Sequence, residues 1–340
     1  MTQKKRTTLK ELAEFIGVHS STVSRVMNPE TRHLISHDVV EQVLKAARQQ
    51  NFSPNRIAAT LRTKRSRIVG VVLPDIANPV FPPILRGIED ELAKKGFIPL
   101  IANAEGGKER QRFVIDQMVG RQVDGLILAT SGRKDPILEH CLEERIPVVV
   151  VNRSEDSGRA SCVVSDNQLA MLLAVTHLVS LGHTSIAHVA GPSDLSTGYE
   201  RRLGFLEAIR QQGLKKTPCP VIESKAYARE EGRAACDTLL ERYPGTTAIV
   251  AANDLLALGC YDAIRARGLR CPQDVSVVGH NDMPLMDSVA PSMTTVHVPL
   301  YEMGVRAATL MLENLEGGST AQVNIVLRPE LVVRESTIAR

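Results

Sequence analysis

Hydrophobic positions recur along this 340-residue chain at two different periods, and the change of period falls near residue 67. The first fifty residues are spaced for helices. Leu9, Leu12, Ala13 and Ile16 stand at i, i+3, i+4 and i+7, one face of a short helix that stops at Gly17. Val23, Val26 and Met27 share one side of a second segment, Ser20 to Met27, which Pro29 closes. A third helix is expected over Asp38–Gln50 from Val39, Val40, Val43, Leu44 and Ala47, with Ser36 as its N-cap. Together they predict one small helical bundle over 1–51.

After residue 67 the pattern becomes short β-branched runs alternating with amphipathic stretches. The runs are Ile68–Leu73, Ile98–Ala102, Gly125–Ala129, Pro147–Val151, Ser161–Val164, Ser185–Ala190, Thr247–Ala251 and Val275–Val278. Helical patterns such as Ile84–Lys95 and Leu169–Leu181 lie between them. Runs that are apolar throughout and separated by helices predict parallel strands covered on both faces. About ten strands are more than one sheet comfortably holds, so two are expected. Residues 52–67 join the two regions. Their middle, Asn55 to Arg62, allows a helix of about two turns, which is marginal in water without a partner.

Charge sharpens this division. The net charge is only +3, yet residues 1–67 carry 13 Lys/Arg against 5 Asp/Glu, and the remainder carries 28 against 33. A basic head on a mildly acidic body points to a polyanion-binding module fused to one that binds something else. The longest apolar stretch, Ile146 to Val151, is far below the roughly 18 residues of a membrane helix. The basic start leads into Thr-Leu-Lys-Glu rather than an apolar signal core, so a cytoplasmic protein that does not engage membranes is expected. The six cysteines are never closer than 11 positions, which disfavours zinc fingers and C-x-x-C redox chemistry and predicts free thiols. No bound metal and no cofactor are expected.

The segment Thr8 to Asn28 has the form of a helix-turn-helix. Small Ala13 stands where two helices touch, Gly17 permits the tight turn, and Val23 locks the second helix. Ser20, Ser21, Ser24 and Arg25 then face outward, where a recognition helix meets base edges. Arg25 can form a bidentate bond to guanine.

This head, the Phe52-Ser53-Pro54-Asn55 link and the Ala58-Ala59-Thr60-Leu61 segment resemble the lac repressor family of bacterial transcription regulators. The body agrees in Ile68–Asp75, Val123–Ile127, Leu181-Gly182-His183, Ala252-Asn253-Asp254, Val277–Asp282 and Glu330–Thr337, collinear over essentially the whole chain. The resemblance implies a helix-turn-helix headpiece (1–51), a hinge helix (52–67) and a two-lobed α/β core of the type I periplasmic-binding-protein kind (68–340), with parallel doubly wound sheets. One lobe is expected over about 68–164 and 297–324, the other over about 165–294 and 326–340. It implies a homodimer on near-palindromic operator DNA, and adds Thr8, Thr22, Asn28, Asn55, Ala58 and Arg62 as DNA contacts. Leu61 matches the residue that relatives wedge into a minor-groove step. The chain ends soon after the Leu331–Thr337 region without leucine heptads, which favours a dimer over a tetramer. His19 stands where relatives often have Ser or Thr, a weaker cap by intrinsic preference.

A small-molecule effector is implied between the lobes. Matched by position, the candidates are Asn78, Val80, Phe81, Ile84, Ala129, Thr130, Asn152, Ser165, Thr197, Arg201, Asn253 and Asn281. Many sugar-binding relatives have Asp at the positions of Asn152 and Asn281. Asn at both, beside Arg201, makes the cleft less negative and favours a sugar acid or phosphorylated sugar, with a neutral sugar or polyol the open alternative. An enzyme on the same body is the rival reading, but no catalytic residues are identified: the chain has no Walker loop, G-x-G-x-x-G, G-x-S-x-G or H-E-x-x-H. Gly106-Gly107-Lys108 lacks the spacing of a phosphate loop, and structural roles are expected for His183 and His188.

Overall fold

The computed structural model describes residues 7–28, 31–52, 65–214, 218–317 and 321–340. The chain divides into two units, residues 1–66 and 67–340. In the first, α1 (Leu9–Ile16), α2 (Ser20–Met27) and α3 (His37–Gln49) enclose Leu12, Ala13, Val23, Val26, Val43, Ala46 and Ala47. Thr8 begins α1 with a reciprocal capping box: its hydroxyl accepts from the Glu11 amide while the Glu11 carboxylate accepts from the Thr8 amide. Gly17 ends α1 in the left-handed region, at φ 77°, which glycine adopts without strain. Ser36 precedes α3 as expected, but its side chain makes no capping bond.

The larger unit opens with β1 (Ile68–Leu73), α4 (Phe81–Lys94), β2 (Ile98–Asn103), α5 (Lys108–Gly120), β3 (Gly125–Leu128), α6 (Pro136–Glu143), β4 (Val148–Val151) and β5 (Ser161–Ser165). It continues with α7 (Asn167–Ser180), β6 (Ile186–Ala190), α8 (Ser196–Gln211), β7 (Val221–Glu223), α9 (Arg229–Arg242), β8 (Ala248–Ala251), α10 (Asp254–Ala266) and β9 (Ser276–Asn281). The last elements are β10 (Thr294–His297), α11 (Leu300–Leu315), β11 (Asn324–Leu327) and β12 (Glu330–Val332).

Two six-stranded sheets result, ordered β2-β1-β3-β4-β5-β11 and β7-β6-β8-β9-β10-β12. All pairings are parallel except the antiparallel edge β10–β12. Val71 of β1 lies level with Ile101 of β2 and Ile127 of β3. Every residue of β3, β4, β5, β6, β8 and β9 is buried, as strands covered on both faces must be. In both sheets the strand order reverses, at β1/β3 and at β6/β8, and ligands of open α/β sheets sit outside the carboxyl ends at such points. The chain passes between lobes at Ser165–Asn167, His297–Leu300 and Leu327–Glu330. The last crossing comes later than the expected 324–326, because β11 pairs with β5 as far as Leu327.

Each lobe brings two helices together backbone against backbone. In the first, α4 meets α11 at Gly87 and Gly304; a Cβ on Gly304 would strike the Ile84 carbonyl and stand 3.0 Å from the Ile88 nitrogen. In the second, Gly232 of α9 meets the backbone of Leu256, and Gly259 of α10 meets that of Arg229 and Arg233. Because backbone cannot yield as a side-chain tip can, Gly304→Ala is expected to cost about 1–3 kcal/mol of core stability. Urea unfolding of the full chain checks this, and an unchanged midpoint contradicts it.

Candidate functional site

Helix α2 owes its outward face to the cluster beneath it. Val23 and Val26 are fully buried, which leaves Arg25 and Ser21 exposed and Ser20, Thr22, Ser24 and Asn28 partly exposed. His19 caps the helix after all: its Nδ1 accepts from the Ser21 amide at 3.2 Å and lies 2.8 Å from the Ser21 hydroxyl. The turn that follows is tied back to α2, with the Thr31 hydroxyl donating to the Arg25 carbonyl and Arg32 Nε to the Val26 carbonyl. Thr8 is exposed and engaged in its capping box. Asn55, Ala58, Leu61 and Arg62 lie outside the described residues.

In the core, eight of the twelve effector candidates line one pocket between the lobes: Asn78, Val80, Phe81, Asn152, Thr197, Arg201, Asn253 and Asn281. Strand ends place them. Asn78 lies in the β1–α4 loop and accepts from the Val80 amide; Asn152 follows β4; Asn253 caps α10 by accepting from Leu256; Asn281 ends β9. Asn152 and Asn281 have positive φ, 66° and 110°, and asparagine tolerates this region better than most residues. The free volume enclosed is about 30 Å³, no more than a water or two.

Four candidates fall elsewhere. Ile84 and Ala129 are fully buried in the first lobe's core, and Ser165 ends β5 with a buried hydroxyl that has no partner among the described residues. Thr130 accepts from Gln111 at 2.7 Å and lines a second, larger pocket of about 630 Å³ bounded by Gly106, Lys108 and Asp135. Conversely, Arg153 and Tyr227 line the first pocket and were not anticipated. Arg153 directly follows Asn152 at the β4 end. Tyr227 lies in the loop between β7 and α9, where no periodicity marks it, and its hydroxyl donates to Thr197 at 3.1 Å.

Several contacts hold the lobes together around this pocket. The Ser154 amide donates to Ser196 Oγ at 2.9 Å, and the Arg133 amide donates to the Asp194 carbonyl at 3.2 Å. The Arg133 guanidinium lies 3.6 Å above the Tyr199 ring while pairing through two bonds with Asp156.

Arg201 is 3% exposed and donates to Asn167 Oδ1 and to the Ala252 carbonyl; Asn167 in turn donates to Glu200. Burial, above all, pulls both Arg201 and Arg153 below the ordinary arginine range. Two neutralised groups lie near. His188, stacked on Phe205 and donating to the Val250 carbonyl, is pushed down to about 4 by burial, and buried His280 is likewise depressed. Asp254 accepts from Thr295 and from the Met283 amide, yet burial raises it to about 7. His183 is bonded to Thr247 and Ile338, as a structural histidine would be. Among the described residues no three His, Cys, Asp or Glu side chains are grouped to hold a metal, and no helix is long and apolar enough to cross a membrane.

Comparison with known proteins agrees with both units. Residues 8–55 match the model for bacterial regulatory proteins of the lacI family, and residues 175–337 match a periplasmic binding protein-like domain. The ribose operon repressor of Halalkalibacterium halodurans is 31% identical over 97% of both chains, and the transcriptional regulator DegA of Bacillus subtilis is 33% identical over 98% of both. The chain belongs to the lacI family of bacterial regulatory proteins. Among lacI-family structures, the lac repressor dimer bound to operator and the anti-inducer ONPF superposes with a TM-score of 0.86 at 27% identity, covering 98% of this chain and 100% of that one. The CelR–cellobiose complex gives 0.75 at 31% identity, covering 97% and 100%. The chain is thus a DNA-binding transcription regulator with a two-lobed effector-type core, not an enzyme.

The raised Asp254 makes this lacI-family core pH-sensitive in a defined direction. A native acid at about 7, against an ordinary 3.8, binds more protons than its unfolded counterpart between those values. Its contribution to stability therefore falls as pH rises from about 4 to 7, by about 1.4 kcal/mol per unit. The depressed His188 acts in the opposite sense between about 4 and 6.5, equally in parent and variant. In urea unfolding from pH 4 to 8, the stability of Asp254→Asn relative to the parent should rise up to pH 7 and then level off. A difference independent of pH contradicts this.

Proposed function

We propose that this protein is a cytoplasmic repressor of carbohydrate or sugar-acid genes that binds a near-palindromic operator as a homodimer and changes its DNA affinity when a small effector occupies the inter-lobe cleft. The observation that carries the reading is the pairing of two units with different tasks. A basic helical unit keeps Arg25 and Ser21 exposed on α2, and a doubly wound core gathers Asn78, Asn152, Arg201, Asn253 and Asn281 around one cleft. Residues 1–51 serve as the DNA-reading head, 52–67 as the linker and 68–340 as the effector and dimerisation core. Ser20, Ser21, Thr22, Ser24, Arg25 and Asn28 meet the major groove, with Thr8 at the backbone. Asn55, Ala58, Leu61 and Arg62 engage the minor groove from the linker.

The relatives support this assignment: one is named a ribose operon repressor, and a solved neighbour is titled a cellobiose complex. A sugar acid or phosphorylated sugar suits the cleft better than a neutral sugar or polyol, since Asn152 and Asn281 bring no negative charge to meet Arg201. Coupling follows from population shift: an effector that favours one arrangement of the lobes favours whichever DNA affinity that arrangement carries.

The test is selection of a consensus site from random duplexes, followed by gel-shift titration. Arg25→Ala should weaken binding by about 1–3 kcal/mol, roughly 5- to 150-fold, and relax the preference at one base pair of each half-site. A uniform loss across all sequences would make Arg25 a phosphate contact, and no selected consensus at all would sink the reading.

A further inference from the structure

The cleft contains more positive charge than one ligand-binding arginine supplies. Arg201 comes from α8 in the second lobe, and Arg153 follows β4 in the first, so the two guanidiniums approach one pocket from opposite lobes. No carboxylate lines that pocket; its other walls are Asn, Thr, Tyr, Val and Phe side chains. Arg201 has Asn167 and the Ala252 carbonyl to solvate it. Arg153 has no hydrogen bond or ion pair among the described residues, and its Nε is enclosed without a partner. The groups that act on the pair are Tyr227, which lines the pocket, and carboxylates outside it: Asp194 on Arg153, and Glu200 and Asp254 on Arg201. No carboxylate therefore stands within the pocket to balance either guanidinium.

Resting on the reading of this cleft as an effector site, we infer that Arg153 and Arg201 form a clamp for an anionic group, and that bridging them fixes how the two lobes are arranged. The ligand's carboxylate or phosphate accepts from both guanidiniums, and its hydroxyls meet Asn78, Asn253 and Asn281. Two like charges that repel across the cleft become two attractions to one anion, so the arrangement of the lobes depends on the ligand's charge. A neutral sugar of the same shape leaves Arg153 unsatisfied, and buried unpaired charge is what such sites discriminate by. Arg153 is then the specificity residue, and the two sources of the anion, a carboxylate and a phosphate, share its chemistry.

The experiment is a thermal-shift titration of the full chain with inorganic phosphate, D-gluconate, D-glucose 6-phosphate and D-glucose, each against sodium chloride of matched ionic strength. Phosphate should raise the melting temperature above the chloride control, at least one anionic sugar should do so at lower concentration, and glucose should not. Arg153→Gln should weaken the anion response roughly 10- to 100-fold, and Arg153→Lys should restore part of it. Asn152→Asp, which supplies an internal counter-charge, should abolish the response while keeping the protein folded, and so covers the case in which Arg153→Gln does not fold. Equal phosphate shifts in the parent, Arg153→Gln and Asn152→Asp overturn the inference, as does stabilisation by glucose exceeding that by either anion. Operator binding measured alongside separates this outcome from a failure of the regulator reading.

Discussion

Taking the Arg201 guanidinium out of water is tolerable only where something else solvates its charge, and the polar groups around the cleft meet that requirement. An ion moved into a protein interior loses several kcal/mol of hydration even after relaxation. Arg201 recovers part of this through Asn167 and the Ala252 carbonyl, with Glu200 behind Asn167. Burial limits the charge that the neighbouring titratable groups add: His188 and His280 stay neutral, and Asp254 is lifted to about 7. Arg153 is left for a ligand.

The fold supplies this placement through strand ends. Because both sheets reverse at equivalent points, the loops after β1 and β4 in one lobe and after β8 and β9 in the other converge on the same space. Rigid strands, buried on both faces, fix where each loop begins. The glycine contacts between α4 and α11 and between α9 and α10 set how closely the covering layers sit. Ser154–Ser196 and Arg133–Tyr199 then define how the lobes meet.

Much of this was legible in the sequence wherever one physical signal dominated. Strands such as Val148–Val151 and Ala248–Ala251 are apolar at every position, which only double coverage allows. The strands β7, β10 and β11 escaped because they are short and either half-exposed or, like Thr294–His297, polar in composition. Helix α4 begins at Phe81 rather than Ile84, because Pro82 and Pro83 are favourable in a first turn where an amide needs no partner. In the cleft, resemblance located the strand ends but not the direction of each side chain: Ile84 and Ala129 point into the core. Arg153 was missed although it adjoins Asn152, whose positive φ turns the chain there, and Tyr227 is brought in by tertiary structure alone. His19, a weaker cap by intrinsic preference, still caps α2 because its ring nitrogen is placed for the Ser21 amide.

A head that reads DNA and a core that binds a ligand make a regulator only if the two binding events are linked, and linkage is reciprocal. The most direct measurement is a closed cycle: operator affinity with and without a saturating cleft ligand, and ligand affinity with and without operator. The account predicts that both ratios differ from one by the same factor, on the order of 5- to 150-fold. A ligand that fills the cleft, loses affinity in Arg201→Gln and leaves operator affinity unchanged would contradict it.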